Sequence, residues 1–210
     1  MKNIHPSFLS GLLIILFVVS AGCSNIPPED TAKELVPISS IGILPVQPAR
    51  ISILPSNSST REQLEAGAEI VNSLLHDYFQ DRANIDFISP AELQSLKSAQ
   101  PTQPLYLARE AGQQLNYDAV LVTEVERYQT RTGSAYAVDS PASVALSFKL
   151  LAIARNQIIW SADFDQTQQA LFDNILRSRS TGSGFRWLTA AELAKAGMKK
   201  KLDNCPYLKN

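Results

Sequence analysis

The chain has 210 residues, of which 45% are hydrophobic, 8% aromatic and 19% charged, with a net charge of −1. That is enough material for one sizeable core, and the near balance of charge excludes a chain built as a whole to neutralise nucleic acid. Its only histidines are His5 and His76 and its only cysteines Cys23 and Cys205, which excludes zinc centres made of Cys/His clusters and disulfide-dense scaffolds.

Lys2 and His5 precede an apolar run from Phe8 to Val19, interrupted only by Ser10 and Gly11 and followed by Ser20, Ala21, Gly22 and Cys23. A membrane-spanning helix needs about 20 apolar residues, so this shorter run reads as the apolar centre of a secretory signal with small residues at its cleavage site. A cysteine directly after that site resembles the lipobox of bacterial lipoproteins. The resemblance implies that residues 1–22 are a signal peptide and that Cys23 carries the lipid. Ser20 departs from the leucine usual at that position. Ser24, in place of an aspartate, implies sorting to the outer membrane, with the protein lipid-anchored and facing the periplasm. Residues 23–37 then form a lipidated tether, polar and broken by Pro27, Pro28 and Pro37. At about 3.3 Å per residue it reaches about 45 Å. A lipidated Cys23 would leave Cys205 without an intrachain partner, and a core position is expected for it.

Ile41 to Val46 is a short apolar run that predicts a buried strand, with Pro45 suggesting an edge or a bulge. Ser59-Thr60-Arg61-Glu62 has the form of a capping box. Behind it Leu64, Ala68, Val71, Leu75 and Tyr78 recur at helical spacing over about five turns. Ile85 to Ile88 predicts a second strand, and Ser89-Pro90-Ala91-Glu92 a second capping box. Leu105 to Leu115 predicts another helix. Three strands follow, over Ala119–Tyr128, Ser143–Ile153 and Ile158–Asp165, with Arg155-Asn156 as a two-residue turn between the last two. In the third of these, Ile158, Trp160, Ala162 and Phe164 share one face, and Trp160 is expected beneath the first helix. Gln166 to Leu176 reads as helical, Ser178 to Gly184 as a loop, and Thr189-Ala190-Ala191-Glu192 as a third capping box opening a helix to about Leu202.

The predicted fold class is therefore α/β, in the α+β sense. It is a small mixed sheet containing a three-stranded antiparallel meander, covered by helices, with a C-terminal helical extension. The strand ending Ile43-Leu44-Pro45-Val46, the long helix, the stretches Ile85–Leu93 and Leu115–Val125, and the strand Ile158–Ala162 together resemble a periplasmic α/β module. That module occurs in the curli-secretion lipoprotein CsgG, the penicillin-binding-protein activator LpoB and the amino-terminal domain of TolB. The resemblance covers about Ile41 to Phe164 and implies a non-catalytic docking domain. The expected organisation is a docking domain over 38–166 and a basic helical extension over 167–210.

Catalysis by a nucleophile needs a base and an orienting group, and His76 is the only histidine after Cys23. Glu124 with Glu126, and Asp163 with Asp165, sit two apart on strands. Four carboxylates could thus converge if the strands pair in register, although solvated strand ends are the plainer expectation. No catalytic residue, metal or cofactor is expected. Charge is more informative. Residues 174–210 carry eight Lys and Arg against Glu192 and Asp203, so the extension either packs on the acidic remainder or meets an anionic partner. The candidate partner-binding residues are Arg177, Arg179, Arg186, Trp187, Lys199, Lys200 and Lys201. The expected function is a non-catalytic binding, assembly or regulatory factor for an envelope protein complex, attached to the membrane by its lipid, with no nucleic acid involved. The alternative is a homo-oligomeric secretion ring or pore, with Arg127 to Ser147 extended as a hairpin.

Overall fold

Strand β1, Ile41–Ile43, is buried at all three residues, as a short apolar strand must be when it has neighbours on both sides. A computed structural model describes residues 37–50, 58–96, 103–133, 138–168 and 187–209, and Pro37–Asn210 forms one compact unit. Pro45 ends β1 without placing it at an edge. The chain resumes as β2, Gln47–Pro48, beside the same neighbouring strand.

After β2 come α1 (Ser58–Phe79), β3 (Ile85–Phe87), α2 (Pro90–Ser95), α3 (Pro104–Leu115) and the long strand β4 (Ala119–Gln129). A small ribbon of β5 (Thr132–Gly133) and β6 (Val138–Ser140) leads to β7 (Ser143–Ala152), β8 (Gln157–Thr167) and α4 (Ala190–Leu202). The main sheet has the order β3-β1-β4-β7-β8. β1 is parallel to β3 and β4, and the meander β4-β7-β8 is antiparallel. The mixed sheet and its meander are as the sequence predicts.

Local signals survive at two helix starts. Ser89 and Thr189 each accept a hydrogen bond from the third helical N–H while Glu92 and Glu192 reach back. Ser59, by contrast, lies inside the first turn of α1, which already begins at Ser58. The β7–β8 connection also differs from expectation. Ala152 pairs with Gln157, so four residues turn the chain rather than two, with Asn156 in the left-handed region at φ 47°. A register shift between Leu150 and Leu151 makes Ile159 a bulge. Ile158 therefore leaves the face of Trp160 and is 38% exposed, because each one-residue slip exchanges the two faces of a strand. Gln166 and Thr167, expected to be helical, end β8. Gln169 to Leu176 and the loop Ser178–Gly184 lie outside the described residues.

Val144, Leu146, Phe148 and Leu150 line one face of β7 and are buried with Leu64, Val71 and Leu75 of α1 and Leu193, Met198 and Leu202 of α4. Each such side chain stabilises the fold by about 1.5–3 kcal/mol. Trp160 is half-buried on this same face, where β8 meets α4 rather than α1. On the other face α3 covers one end of the sheet through Leu107, Ala108 and Ala111, packed on Val120, Val122 and Leu151.

Two core positions yield predictions. A Cβ on Gly67 in α1 would stand 2.6 Å from Tyr128 Cβ, an atom that cannot swing away. Gly67→Ala gains about 1 kcal/mol of helix propensity but overpacks a rigid contact. Urea denaturation should show a net loss of about 1–2 kcal/mol. Thr123 is 1% exposed and its hydroxyl has no hydrogen-bond partner. Thr123→Val should therefore raise stability by about 1 kcal/mol in the same assay.

Candidate docking surface

Beyond α3, the second sheet face becomes polar. β7 contributes the small residues Ser143, Ala145 and Ser147, all buried, and longer charged side chains from β4 and β8 close over them. Arg127, Ala145 and Asp165 stand in one row across three strands. The Arg127 guanidinium spans the alanine to pair with the Asp165 carboxylate, while its Nε donates to Ser143 Oγ at 2.7 Å. Ser143 Oγ also lies 2.6 Å from Thr167 Oγ1. One row away, Lys149 Nζ donates to Glu124 Oε2 at 3.2 Å.

Of the four carboxylates singled out in the sequence, Glu124 and Asp163 flank Ser147 in one row and Asp165 stands in the next. Glu124 and Asp165 are bonded to cations. Glu126 is exposed at the register shift between Val125 and Arg127, off the face of Glu124. Asp163 is exposed, opposite Ser147. Among the described residues no cluster of three or more His, Cys, Asp or Glu could hold a metal ion. The imidazole of His76 stacks on Phe87, with ring centroids 3.6 Å apart.

Cys23, the expected lipidation residue, and the candidate partner-binding residues Arg177, Arg179 and Arg186 lie outside the described residues. Trp187 is only 7% exposed. Its ring is a core group, one of the two readings that its place after Phe185-Arg186 left open, the other being a projecting anchor. Lys199 and Lys200 are exposed and Lys201 is half-buried in the last turn of α4, where cations complement the negative end of the helix dipole. Cys205 is fully buried, and burial pushes its thiol pKa up. Arg127–Gln129 and Ser143–Ser147, the ends of the segment considered as a pore hairpin, belong to the main sheet.

Sequence reasoning missed the cluster that holds α4 onto α1. Tyr78 Oη donates to Asp203 Oδ1 at 2.7 Å, and Lys199 Nζ donates to Asp203 Oδ2 at 2.7 Å. The Arg82 guanidinium lies 5.3 Å from the Tyr78 and Phe79 ring centres and donates to the Leu208 carbonyl. The i,i+4 spacing of Lys199 and Asp203 was a visible signal. Nothing local marked Tyr78 as their partner. At the opposite end of α4, Tyr128, Thr130, Arg131, Gly133, Thr189, Ala190 and Ala191 line an open cleft of about 290 Å³.

No protein-family model matches the chain, and no curated protein sequence does either. Solved structures similar to it include a PelC dodecamer from Paraburkholderia phytofirmans, at 14% identity over 79% of this chain and 85% of that one, with a TM-score of 0.45. The LpoB C-terminal domain from Escherichia coli is 16% identical over 63% of this chain and 86% of that one, with a TM-score of 0.39. Lipoprotein GNA1162 from Neisseria meningitidis is 14% identical over 69% and 96%, with a TM-score of 0.35.

The cluster around Tyr78 sets a pH dependence. Its pKa is pushed up to about 12, first by burial and then by the hydrogen bond to Asp203, with Arg82 opposing. A tyrosine whose folded pKa lies above its unfolded value of about 10 contributes fully below pH 10 and loses that contribution as pH rises towards 12. Unfolding curves should show wild type more stable than Tyr78→Phe at pH 9, with the gap narrowing steadily up to pH 12. Asp203 behaves in the opposite sense. Its pKa is lowered by Lys199 and then Tyr78, so its contribution is present above the ordinary carboxylate range and lost on acidification.

Proposed function

We propose that the chain is an outer-membrane lipoprotein, anchored through Cys23 and facing the periplasm, whose folded part docks an envelope protein without doing chemistry on it. The observation that carries this reading is the run from Phe8 to Val19 followed by Ser20-Ala21-Gly22-Cys23, too short to span a bilayer and placed for cleavage before the cysteine. Two acyl chains make such an anchor effectively permanent, since each buried methylene contributes about 0.8 kcal/mol.

The described surface supports a docking role. Several of its polar groups are engaged in structural bonds: Arg127 with Asp165, Lys149 with Glu124, Tyr78 and Lys199 with Asp203. His76, the one histidine after Cys23, is engaged with Phe87. A bonded polar surface of this kind suits recognition of a partner by shape and charge.

Cell fractionation and intact-mass analysis test the anchor. Wild type should fractionate with the outer membrane and carry acyl mass on Cys23. Cys23→Ser should lose both properties, and Ser24→Asp should move the protein to the inner membrane. Crosslinking in intact cells should then recover an envelope protein with the wild type. An unmodified Cys23 in the wild type refutes the anchor, and deletion that leaves every envelope complex intact in composition and activity refutes the docking role.

A further inference from the structure

We propose that the outer edge of β8 takes an extended peptide as an added strand, one with apolar residues at alternate positions and a cation opposite Asp163. The inference deepens the docking role proposed above by naming the chemistry of the partner.

The backbone fixes which groups this edge offers. Gln168 N–H donates to the Ala142 carbonyl at 2.9 Å, one step beyond the register that pairs Thr167 with Ser143. Antiparallel partners alternate between bonded and non-bonded pairs, so Gln166, Phe164, Ala162 and Trp160 turn their N–H and C=O groups towards β7. Ser161, Asp163 and Asp165 turn theirs away. The same alternation carried across β7 aims the Leu121 and Val125 carbonyls of β4 at its far side, where the Leu44 and Ala49 N–H groups bond them at 3.1 and 2.9 Å. Among the described residues no strand pairs with the outward groups of β8. No register shift interrupts Trp160 to Thr167, so the edge is regular over the length of an ordinary strand.

Side chains set the chemistry of what fits there. Trp160 and Ala162 lie half-buried on the core face of this edge, and every second residue of an added strand would extend their cover. On the polar face Ser161, Asp163 and Asp165 are exposed. Arg127 takes Asp165 and Lys149 takes Glu124, and no ion pair among the described residues involves Asp163. Asp163 is therefore the acid left over in these rows, so a cation placed opposite it is attracted and a carboxylate repelled. A second copy of β8 fits badly for the same reason, since antiparallel pairing centred on Asp163 sets the two Asp163 carboxylates side by side. Charges that discourage an identical edge thus favour a complementary one. Addition of a strand to a free edge takes its affinity from the main chain and its selectivity from alternate side chains.

The test uses the full chain in detergent micelles and two probe peptides of about seven residues. Both alternate valine with serine, and one has lysine at its centre where the other has glutamate. Binding is followed by fluorescence anisotropy and by residue-resolved amide hydrogen exchange. The lysine probe should slow exchange of the Ser161, Asp163 and Asp165 amides about tenfold, and leave those of Ala162 and Phe164, already bonded to β7, within about twofold. It should bind about fivefold more tightly than the glutamate probe, and Asp163→Lys should reverse that preference. Equal affinity for the two probes overturns the proposal, as does protection confined to residues outside β8. So do outward amides that already exchange slowly in the free chain. Slowing that grows with protein concentration would assign the edge to a second copy, and slowing independent of concentration would assign it to the chain's own residues. Crosslinking in intact cells that recovers one envelope protein equally from wild type and Asp163→Lys overturns this inference alone and leaves the docking role standing.

Discussion

The stripe Val144, Leu146, Phe148 and Leu150 must be kept from water, and the chain covers it with helices drawn from both sides of β7 in sequence. α1 precedes the strand by many residues and α4 follows it, yet both share its core cluster. β4 and β8 pair with β7 along its whole length and satisfy its backbone, as burial of a strand on both faces requires. Residues 187–209 are consequently built into the core, with Cys205 and Leu208 continuing the same apolar layer. The Tyr78–Asp203 and Arg82–Leu208 bonds hold this segment at its far end.

The opposite face obeys a different rule. Small residues on β7 leave room for Arg127 to reach across to Asp165, and for Lys149 to reach Glu124. Half-exposed ion pairs of this kind contribute only about 0–1 kcal/mol each, so their value lies in geometry more than in stability. β8 is the last strand of the sheet among the described residues. The bulge at Ile159 and the charges of Asp163 and Asp165 are the devices by which natural proteins discourage edge-to-edge pairing of such strands.

These features give the domain two differentiated regions. On the polar sheet face Arg127 and Lys149 pair with Asp165 and Glu124, while Asp163 stays exposed. The last turn of α4 carries Lys199, Lys200 and Lys201.

Much of this was legible from residues close together in the chain. The capping boxes at Ser89 and Thr189, the period-two stripe on β7 and the helical period of α1 depend on neighbours a few positions away, so composition and spacing determined them. The Cys23 context is equally local, and it alone led to the proposed anchor. Tertiary structure decided the rest. The bulge that turns Ile158 outward, the four-residue turn at Asn156, the burial of Trp187 and the pairing of Arg127 with Asp165 depend on which strand lies opposite and on the space that it leaves. Lys199–Lys201 could be counted in the sequence. The approach of Lys199 to the Tyr78 ring, 6.0 Å from its centre, could not, because it follows from α4 packing against α1, and that contact forms only when the apolar stripe of β7 draws both helices onto one face.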